Sequence, residues 1–444
     1  MNSQDPYKKT SDFIRNSATI KMVAVGLLIL VLLIPSAMVS SLIFERESRK
    51  EMVIKEINQK WGNSQTIVGP FFTLPYKLFY KNKDGQLKHN IHYLHLLPEN
   101  VDISGDIEPQ IRYRSIYEAV LYNGKISLSG SFTIPNLSEV NISSEDVLWD
   151  KAVFSIGITD MAGIKEAVVV RFNNQDFKAT PGLKTTNIAS SGVQASIPLS
   201  PSNKHNSFSF RLDLNGSQQL HFSPVGETTN LTLNSSWTSP GFNGSFLPAK
   251  REITNKGFTA DWTVLHLNRN YPQLWSGNQY KVNESSFGVK FIITADLYQK
   301  TMRISKYSVM FIVFTFLAFF FSEIINRKRV HPIQYLLIGL AVILFYVLLL
   351  SISEHVNFDI AYIVSAIAIT GMITGYSKGI LKNKLFTLTV SGILIVLYAY
   401  LYIVLQLEDY ALLMGSIGLF IILTAVMYIT RKIDWYNLDK EQSA

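Results

Sequence analysis

Six apolar windows constrain this chain more than any other feature of its sequence. Each reaches the roughly 20 residues that an α-helix needs to cross the hydrocarbon core of a bilayer. One lies near the N-terminus and five lie in the last third of the chain: Met22–Ile43, Tyr307–Ile325, Tyr335–Ser353, Phe358–Tyr376, Leu385–Leu405 and Tyr410–Ile429. The sequence therefore predicts an integral membrane protein with six transmembrane helices.

The first window has a second interpretation, as the apolar part of a cleaved signal peptide, because small residues follow Pro35. Its apolar run is longer than the roughly 7–15 residues of such a segment. We therefore interpret it as an uncleaved membrane anchor.

Basic residues predict the orientation of the chain. They cluster before the first window, in the connections 327–329 and 378–384, and after the last window, whereas the short loops 354–359 and 408–409 contain no Lys or Arg. The positive-inside rule places the basic connections in the cytoplasm. The prediction is a cytoplasmic N-terminus over residues 1–21, a membrane helix over 22–44, an exported region over 45–304, a five-helix bundle over 305–430 and a cytoplasmic tail over 431–444.

The chain contains no cysteine. Exported domains of eukaryotes commonly carry disulfides, so we expect a bacterial inner (cytoplasmic) membrane with the exported region in the periplasm. The net charge of +8 is explained mainly by the segments next to the membrane. Basic runs with interleaved aromatic residues are missing, so no nucleic-acid partner is expected.

The exported region shows two patterns. Met52, Val53, Ile57 and Trp61 recur near helical spacing, which predicts a helical stalk that ends at Gly62. From about residue 67 to 291, alternating and β-branched runs predict many short antiparallel strands in a β-rich, sandwich-like domain. Within it, Asn123-Gly124 predicts a type I′ hairpin, and a short helix is expected near residues 160–165. The fold class is thus membrane α plus β.

Motifs for catalysis or metal binding are missing from the sequence. It contains no Gly-x-Ser-x-Gly elbow, His-Glu-x-x-His helix, phosphate-binding loop or EF-hand loop. His89, His92 and His95 lie in a strand-like run, where His92 would point away from the other two, so we interpret them as surface or structural histidines. No cofactor and no metal site are predicted.

The segment WTSPGFNGSFLP, residues 237–248, is the densest aromatic, Pro and Gly segment of the exported region. One interpretation is a platform of Trp237, Phe242 and Phe246 that stacks on a sugar or peptide. The other, which we favour, is a wide turn whose aromatic side chains close the end of the domain.

Polar residues at the ends of the third membrane window are the other candidate binding residues. On the cytoplasmic side, Glu323, His331 and Gln334 are predicted to hydrogen-bond across the hairpin. On the opposite side lie Glu354, His355 and Asp359, and Asp359 is a predicted helix N-cap. Charged residues are missing from the middle of this window, so we interpret the two polar ends as interfacial and structural rather than as a transport path. Gly371 and Gly375 are expected to form a seam for close helix packing.

The sequence resembles the CreD family of bacterial inner-membrane proteins over essentially the whole chain after residue 10. The resemblance rests on KEINQKWGNSQTIVGPFFTLPY (55–76), LHLLPENVDISG (94–105), IYEAVLY (116–122), ITDMAGIKEA (158–167), WTSPGFNGSFLP (237–248), GFTADWTVLHLNRNYP (257–272), FGVKF (287–291), KYSVMFIVFTFLAFFFSE (306–323), HPIQYLLIGLAVILFYVLLLSISEH (331–355) and EHVNFDIAY (354–362). It implies a role in cell-envelope integrity, with links to colicin tolerance, the β-lactam response and control by a two-component sensor system. It implies no catalytic residues. One departure is Ser115, where the family pattern has Gly, so a different turn conformation is expected there.

Three classes of function stay open at this point. The first, which we favour, is a non-enzymatic envelope protein whose β-rich domain binds a periplasmic envelope component or a membrane partner. The second is a transporter or channel component for a hydrophobic compound or ion. The third is an enzyme that acts on a lipid-linked substrate at the membrane interface, with Glu354, His355 and Asp359 as acid, base and ligand.

Overall fold

A computed structural model describes residues 18–293, 297–326, 330–381, 383–407 and 410–431. Its contacts divide the chain into two compact units. One unit holds the strands and comprises residues 50–293. The other comprises residues 18–49 and the described residues from 297 onward, and it is helical.

The helical unit contains most of the helices within the described residues. Their bounds are Ala18–Trp61 (α1, which continues into the other unit), Leu297–Ser305 (α2), Ser308–Asn326 (α3), Pro332–Ser353 (α4), Phe358–Leu381 (α5), Lys384–Gln406 (α6) and Ala411–Thr430 (α7). By length and composition, four described helices can cross a membrane: Lys21–Trp61, Pro332–Ser353, Phe358–Ile380 and Lys384–Gln406. The pair Leu297–Ser305 and Ser308–Glu323, bent by 46°, is a fifth candidate, and Leu413–Tyr428 is a shorter apolar helix. An N-terminal apolar helix and several C-terminal apolar helices are thus present, as predicted.

Helix α1 is a single helix of 44 residues that ends where the sequence predicts. The amide N–H of Gly62 donates to the carbonyl oxygen of Asn58 at 2.8 Å. Gly62 has a φ of 145°, and a Cβ at this position would lie 2.7 Å from the carbonyl oxygen of Asn215. Only glycine combines that backbone conformation with such a close approach.

Seventeen described strands build the other unit. Their bounds are Gln65–Lys81 (β1), Leu87–Leu96 (β2), Asn100–Arg114 (β3), Tyr117–Thr133 (β4), Val153–Ile158 (β5), Val169–Phe172 (β6), Gln175–Lys178 (β7), Thr180–Pro181 (β8), Gly192–Ser196 (β9), His205–Ser217 (β10), Gln219–Ser223 (β11), Thr228–Ser235 (β12), Pro240–Gly244 (β13), Lys250–Thr254 (β14), Gly257–Leu265 (β15), Leu274–Ser276 (β16) and Phe287–Phe291 (β17). A 3₁₀ turn over Met161–Gly163, capped by Asp160, confirms the short helix expected near residues 160–165.

Two sheets form from these strands. The first has the order β13-β17-β11-β1-β5-β9-β8, with β2 also paired to β1 and β16 paired to β2. The second has the order β14-β15-β12-β3-β4-β10-β6-β7. Two pairs are parallel, β1 with β11 and β3 with β12, so the expectation of antiparallel strands alone is wrong. Strand β1 is almost continuously buried from Gln65 to Tyr76, as is usual for a central strand with both faces covered.

Both sheets contribute side chains to one buried cluster. Phe72 of β1 lies 4.8 Å from Phe132 of β4 between ring centroids, and Phe154 of β5 lies 5.8 Å from Phe208 of β10. Strand β3 shows how the sequence directs this packing, because its residues alternate between exposed and buried positions from Asn100 to Glu108. The β-rich region and its core therefore agree with the alternating pattern of the sequence.

The hairpin predicted at Asn123-Gly124 is wrong. These residues lie inside β4 and pair with Asn215 and Leu214 of β10 on one side, and with β3 on the other. Asn123 donates a side-chain hydrogen bond to Asp213 Oδ1 at 2.6 Å, so neighbouring strands satisfy the residues that were expected to turn. The chain turns instead at Ser115-Ile116, between β3 and β4.

Candidate functional site

Glu323 lies near the end of α3 and connects three helices. Its Oε1 forms an ion pair with the ammonium group of Lys21 on α1. Its Oε2 accepts a hydrogen bond of 3.1 Å from the hydroxyl of Tyr335 on α4. Only 9% of the Glu323 side chain is exposed, and a carboxylate so deeply buried requires partners of this kind.

His331 and Gln334 do not reach Glu323, so the predicted bonding across the hairpin is wrong. The backbone N–H of His331 donates to Gln334 Oε1 at 2.9 Å, and the backbone N–H of Ile333 donates to His331 Nδ1 at 3.3 Å. The first N–H groups of a helix have no partner within the helix. His331 and Gln334 supply those acceptors and form the capping box of α4.

Glu354 connects three helices at the other end of α4. Its Oε1 accepts a hydrogen bond of 3.1 Å from the hydroxyl of Tyr298 on α2. Its Oε2 lies 3.9 Å from Nη1 of Arg46 on α1. Glu323 thus links Tyr335 of α4 to Lys21 of α1. At the other end of α4, Glu354 pairs directly with Arg46 of α1.

His355 and Asp359 lie beyond the end of α4. The His355 side chain is exposed and has no hydrogen bond within the described residues. Asp359 lies in the first turn of α5, where Oδ1 accepts a hydrogen bond of 3.2 Å from Gln406 of α6. The predicted N-cap is wrong by two residues, because Asn357 Oδ1 accepts the backbone N–H of Asp359 at 3.0 Å. A negative charge in the first turn still favours the helix dipole.

Three buried tyrosines, Tyr346 on α4, Tyr362 on α5 and Tyr398 on α6, lie between the two ends. Tyr362 donates to the carbonyl oxygen of Tyr398 at 2.7 Å. The hydroxyls of Tyr346 and Tyr398 are buried and have no partner within the described residues. Sequence reasoning missed this group, because it did not consider tyrosine hydroxyls in the middle of these helices as polar groups.

Gly371 and Gly375 do not form a packing seam within the described chain. A Cβ added at either glycine would meet no atom within 4 Å. The contact between α5 and α6 near this position is polar instead, since Thr374 and Ser391 share a hydrogen bond of 2.7 Å. The expectation of close packing through these two glycines is therefore wrong within this chain.

The three aromatic side chains of residues 237–248 pack inward rather than forming an open platform. All three are partly buried against the core of the β-rich unit. Their ring centroids lie 5.5–6.2 Å from rings of β15 and β17: Trp237 from Phe291, Phe242 from Phe258 and Trp262, and Phe246 from Phe287. Residues 240–244 form strand β13 rather than part of a wide turn. A binding role for these side chains stays a prediction.

His95 differs from His89 and His92 in burial, because it lies nearer the body of the sheet along β2. His95 is fully buried, whereas the other two are exposed. Its Nε2 lies 3.0 Å from the side-chain nitrogen of Asn187, and its Nδ1 lies 3.4 Å from the hydroxyl of Thr73. Burial lowers the pKa of His95 to about 4. Among the described residues, no group of three or more His, Asp or Glu is placed to hold a metal ion.

A polar cluster centred on Gln65 was not predicted, although two of the segments that carry the family resemblance meet there. The side-chain amide of Gln65 donates to the carbonyl oxygens of Asp160 at 2.9 Å and Asn215 at 3.1 Å. The Asp160 carboxylate accepts the backbone N–H of Asn63 at 2.8 Å and that of Ala162 at 3.0 Å. Burial tends to raise the pKa of Asp160, but these hydrogen bonds outweigh it, and the pKa lies below its usual value.

The clusters described here are built to hold structural elements together. Each acid at the ends of α4 has partners on two other helices, and Gln65 links β1 to β10 and to the segment that follows β5. Carboxylate oxygens that already accept from such partners have few free lone pairs for a substrate. The arrangement therefore holds neighbouring elements within each unit in place.

Comparison with known proteins extends the resemblance seen in the sequence. The family described as "Inner membrane protein CreD" matches residues 17–436. The chain is also 33% identical over 428 residues to "Inner membrane protein CreD" of Escherichia coli (strain K12), which covers 94% of this chain and 93% of that protein. A match of this extent includes the apolar helices of one unit and both sheets of the other. The chain belongs to the CreD family of inner membrane proteins.

Proposed function

We propose that this chain is a non-enzymatic inner-membrane protein that supports envelope integrity and tolerance of β-lactams and colicins. In this proposal six membrane helices hold it with both termini in the cytoplasm. The two sheets form a periplasmic sandwich that binds an envelope component or a membrane partner. Membership of the family supports the cellular role, and the shared core of the two sheets supports the sandwich.

The observation that carries the proposal is the use of Glu323 and Glu354 as interhelical clamps. Each carboxylate has a cationic partner and a tyrosine hydroxyl on two other helices. Residues of this kind fix the geometry of a bundle, because removal of one partner leaves a buried group unsatisfied. A fixed bundle suits an anchor that presents a binding domain.

Complementation of a deletion strain tests this assignment. Glu354→Gln retains an acceptor for Tyr298, and His355→Gln changes an exposed neighbour, so the two form a matched pair. We expect both variants, expressed at wild-type level, to restore resistance to detergent and β-lactam. Failure of Glu354→Gln alone, in protein that reaches the membrane, would show that the charge itself is required and would favour transport or interfacial chemistry.

Partner binding is tested by site-specific photo-crosslinking in cells. Leu247 lies in the aromatic segment and is 71% exposed, so a photoreactive residue at this position can reach a partner without disturbing the core. Ser209, on the exposed face of β10, is the matched control position. A discrete adduct at Leu247 but not at Ser209 supports binding near residues 237–248, and no adduct at either position opposes it.

Transport is a second candidate, favoured by the buried hydroxyls of Tyr346 and Tyr398. Unpartnered buried hydroxyls are usually satisfied by water, and water inside a helical bundle is what a polar path requires. Purified full-length protein in vesicles should then show a flux of protons or ions that Tyr398→Phe reduces. If vesicles that contain the wild-type protein remain impermeable to protons and ions, transport is excluded.

A further inference from the structure

Strands β1 and β2 extend beyond the rest of their sheet as a two-stranded arm, residues 77–92. From Leu78 to His92 nearly every side chain is exposed, whereas the residues of both strands nearer the sheet are buried. The pairing continues to the tip, from Lys77 opposite Ile91 to Lys81 opposite Leu87. The arm is therefore ordered without a core of its own.

Local hydrogen bonds hold the tip in shape. The backbone N–H of Asn82 donates to the carbonyl oxygen of Gln86 at 3.0 Å. Asn82 Oδ1 accepts the N–H groups of Asp84 at 3.1 Å and Gln86 at 2.9 Å. Two-stranded hairpins with little burial are at best marginally stable in water. The tip of this arm is fixed by hydrogen bonds, but the arm does not pack on the rest of the domain. We therefore expect it to dock on another surface.

Large apolar side chains are exposed on both faces of the arm. Directly paired residues share a face and successive residues alternate, so Phe79, Leu87 and Ile91 lie on one face and Leu78 and Tyr80 on the other. Leu87 is 66% exposed, and the remaining four are 44–48% exposed. Exposed apolar surface of this density indicates an interaction site.

The charge of the arm indicates what that surface is. Four lysines, Lys77, Lys81, Lys83 and Lys88, surround the apolar side chains, whereas Asp84 is the only acid in the arm. Within the part of the chain that the structure describes, none of the four lysines forms an ion pair. Lysines also disfavour the pairing of a free strand edge with another chain, which argues against a strand of a protein partner as the occupant.

We propose that the arm of residues 77–92 docks on a bilayer surface rich in anionic phospholipid. One apolar face of the arm enters the interfacial layer, either that of Phe79, Leu87 and Ile91 or that of Leu78 and Tyr80. The four lysines contact the lipid phosphates. Aromatic and aliphatic side chains beside lysines are the combination that anionic membrane surfaces attract. This site is additional to the proposed binding of an envelope partner and does not depend on it.

The natural absence of cysteine permits a direct test. Full-length protein with the single substitution Leu87→Cys is labelled with a polarity-sensitive fluorophore and placed in nanodiscs of phosphatidylcholine, with or without phosphatidylglycerol. Matching vesicles are then added, so that the arm is offered lipid both in its own disc and from outside. Brominated phosphatidylglycerol reports contact by quenching, and Ser209→Cys on β10 is the control position.

We expect a blue shift and bromolipid quenching at residue 87 in phosphatidylglycerol and not in phosphatidylcholine alone, with no change at residue 209. Replacement of all four lysines by Gln should remove the lipid preference without lowering thermal stability, because none of them lies in the core. A probe that stays water-exposed in both lipids overturns the proposal. So does a blue shift that is independent of lipid charge and is not quenched, because the arm then lies against protein.

Discussion

At the scale of single residues, His95 couples the stability of the β-rich unit to pH. Burial lowers its pKa from 6.5 to about 4, so between these values the unfolded chain binds more protons than the folded one. Its contribution to stability is complete above about pH 6.5 and is lost as the pH falls toward 4, by up to about 3 kcal/mol. Thermal unfolding of the full chain at several pH values should show this decline.

The matched variants for this pH effect are His95→Gln and His89→Gln. We expect His95→Gln to flatten the decline and the exposed His89→Gln to leave it unchanged. Some slope should remain in His95→Gln, because burial also lowers the pKa of His221. An unchanged slope in His95→Gln would contradict the assignment.

Ser115 is the position where the chain departs from the family pattern, and its conformation explains the expected glycine. Ser115 has a φ of 57° at the first residue of the two-residue turn between β3 and β4. Such a conformation costs an L-residue about 1–2 kcal/mol, whereas glycine loses about 0.5–1 kcal/mol of chain entropy. Ser115→Gly should therefore raise the free energy of unfolding of the β-rich unit by about 0.5–1 kcal/mol.

The control for this prediction is Ser129→Gly, at an exposed position inside β4. There glycine weakens an extended strand and should lower stability by about 1 kcal/mol. Denaturant unfolding of both variants, monitored by the β-sheet signal, measures the contrast. Destabilisation by Ser115→Gly would show that the turn does not store strain.

At the scale of elements, the ion pair between Lys21 and Glu323 joins α1 to α3. Glu323→Gln removes the negative charge of this pair and Lys21→Met removes its positive charge, so each single change should cost about 2–3 kcal/mol. The double variant removes both charges and should recover most of that loss. Thermal unfolding in detergent measures the four proteins of this cycle, and additive losses in the double variant would contradict the clamp.

The positions of the helices and strands follow closely from the local sequence pattern, whereas the pairing of the strands does not. Apolar length locates the helices, and alternation locates strands such as β3, because burial on one face repeats every second residue. Asn123-Gly124 was misread because its partners on β10 lie about ninety residues away in the sequence. Asp359 was misread for a local reason, since Asn357 competes for the same cap.

The candidate site shows the same limit. Glu323 was recognised from the sequence as a polar residue at a helix end, but Lys21 and Tyr335 were not recognised as its partners. Lys21 is far from it in the chain and was counted only as a positive-inside charge. Distance along the chain hides such pairs from any local pattern, whereas the capping residues His331 and Gln334 could have been paired from their spacing alone.

At the scale of the whole molecule, the orientation of the chain can be tested by cysteine accessibility. Ser209→Cys lies in the β-rich unit and Lys378→Cys in the last turn of α5, and both positions are exposed. In intact spheroplasts, a membrane-impermeant maleimide should label residue 209 and not residue 378. After permeabilisation both should react. Labelling of residue 378 in intact spheroplasts would reverse the proposed topology.

The parallel pairs within the two sheets have a consequence for how the molecule is made. Gln65 pairs with Leu220, and Asn100 pairs with Thr228. Strands β1 and β3 therefore cannot complete their pairing until β11 and β12 have been synthesised. Strand β17, which pairs with β11 and β13, is the last strand of the unit. Pairing over such separations is slow and leaves strand edges open meanwhile. The β-rich unit therefore completes its folding only after the chain has been synthesised past residue 291. Until then the unpaired edges of its strands are exposed to aggregation.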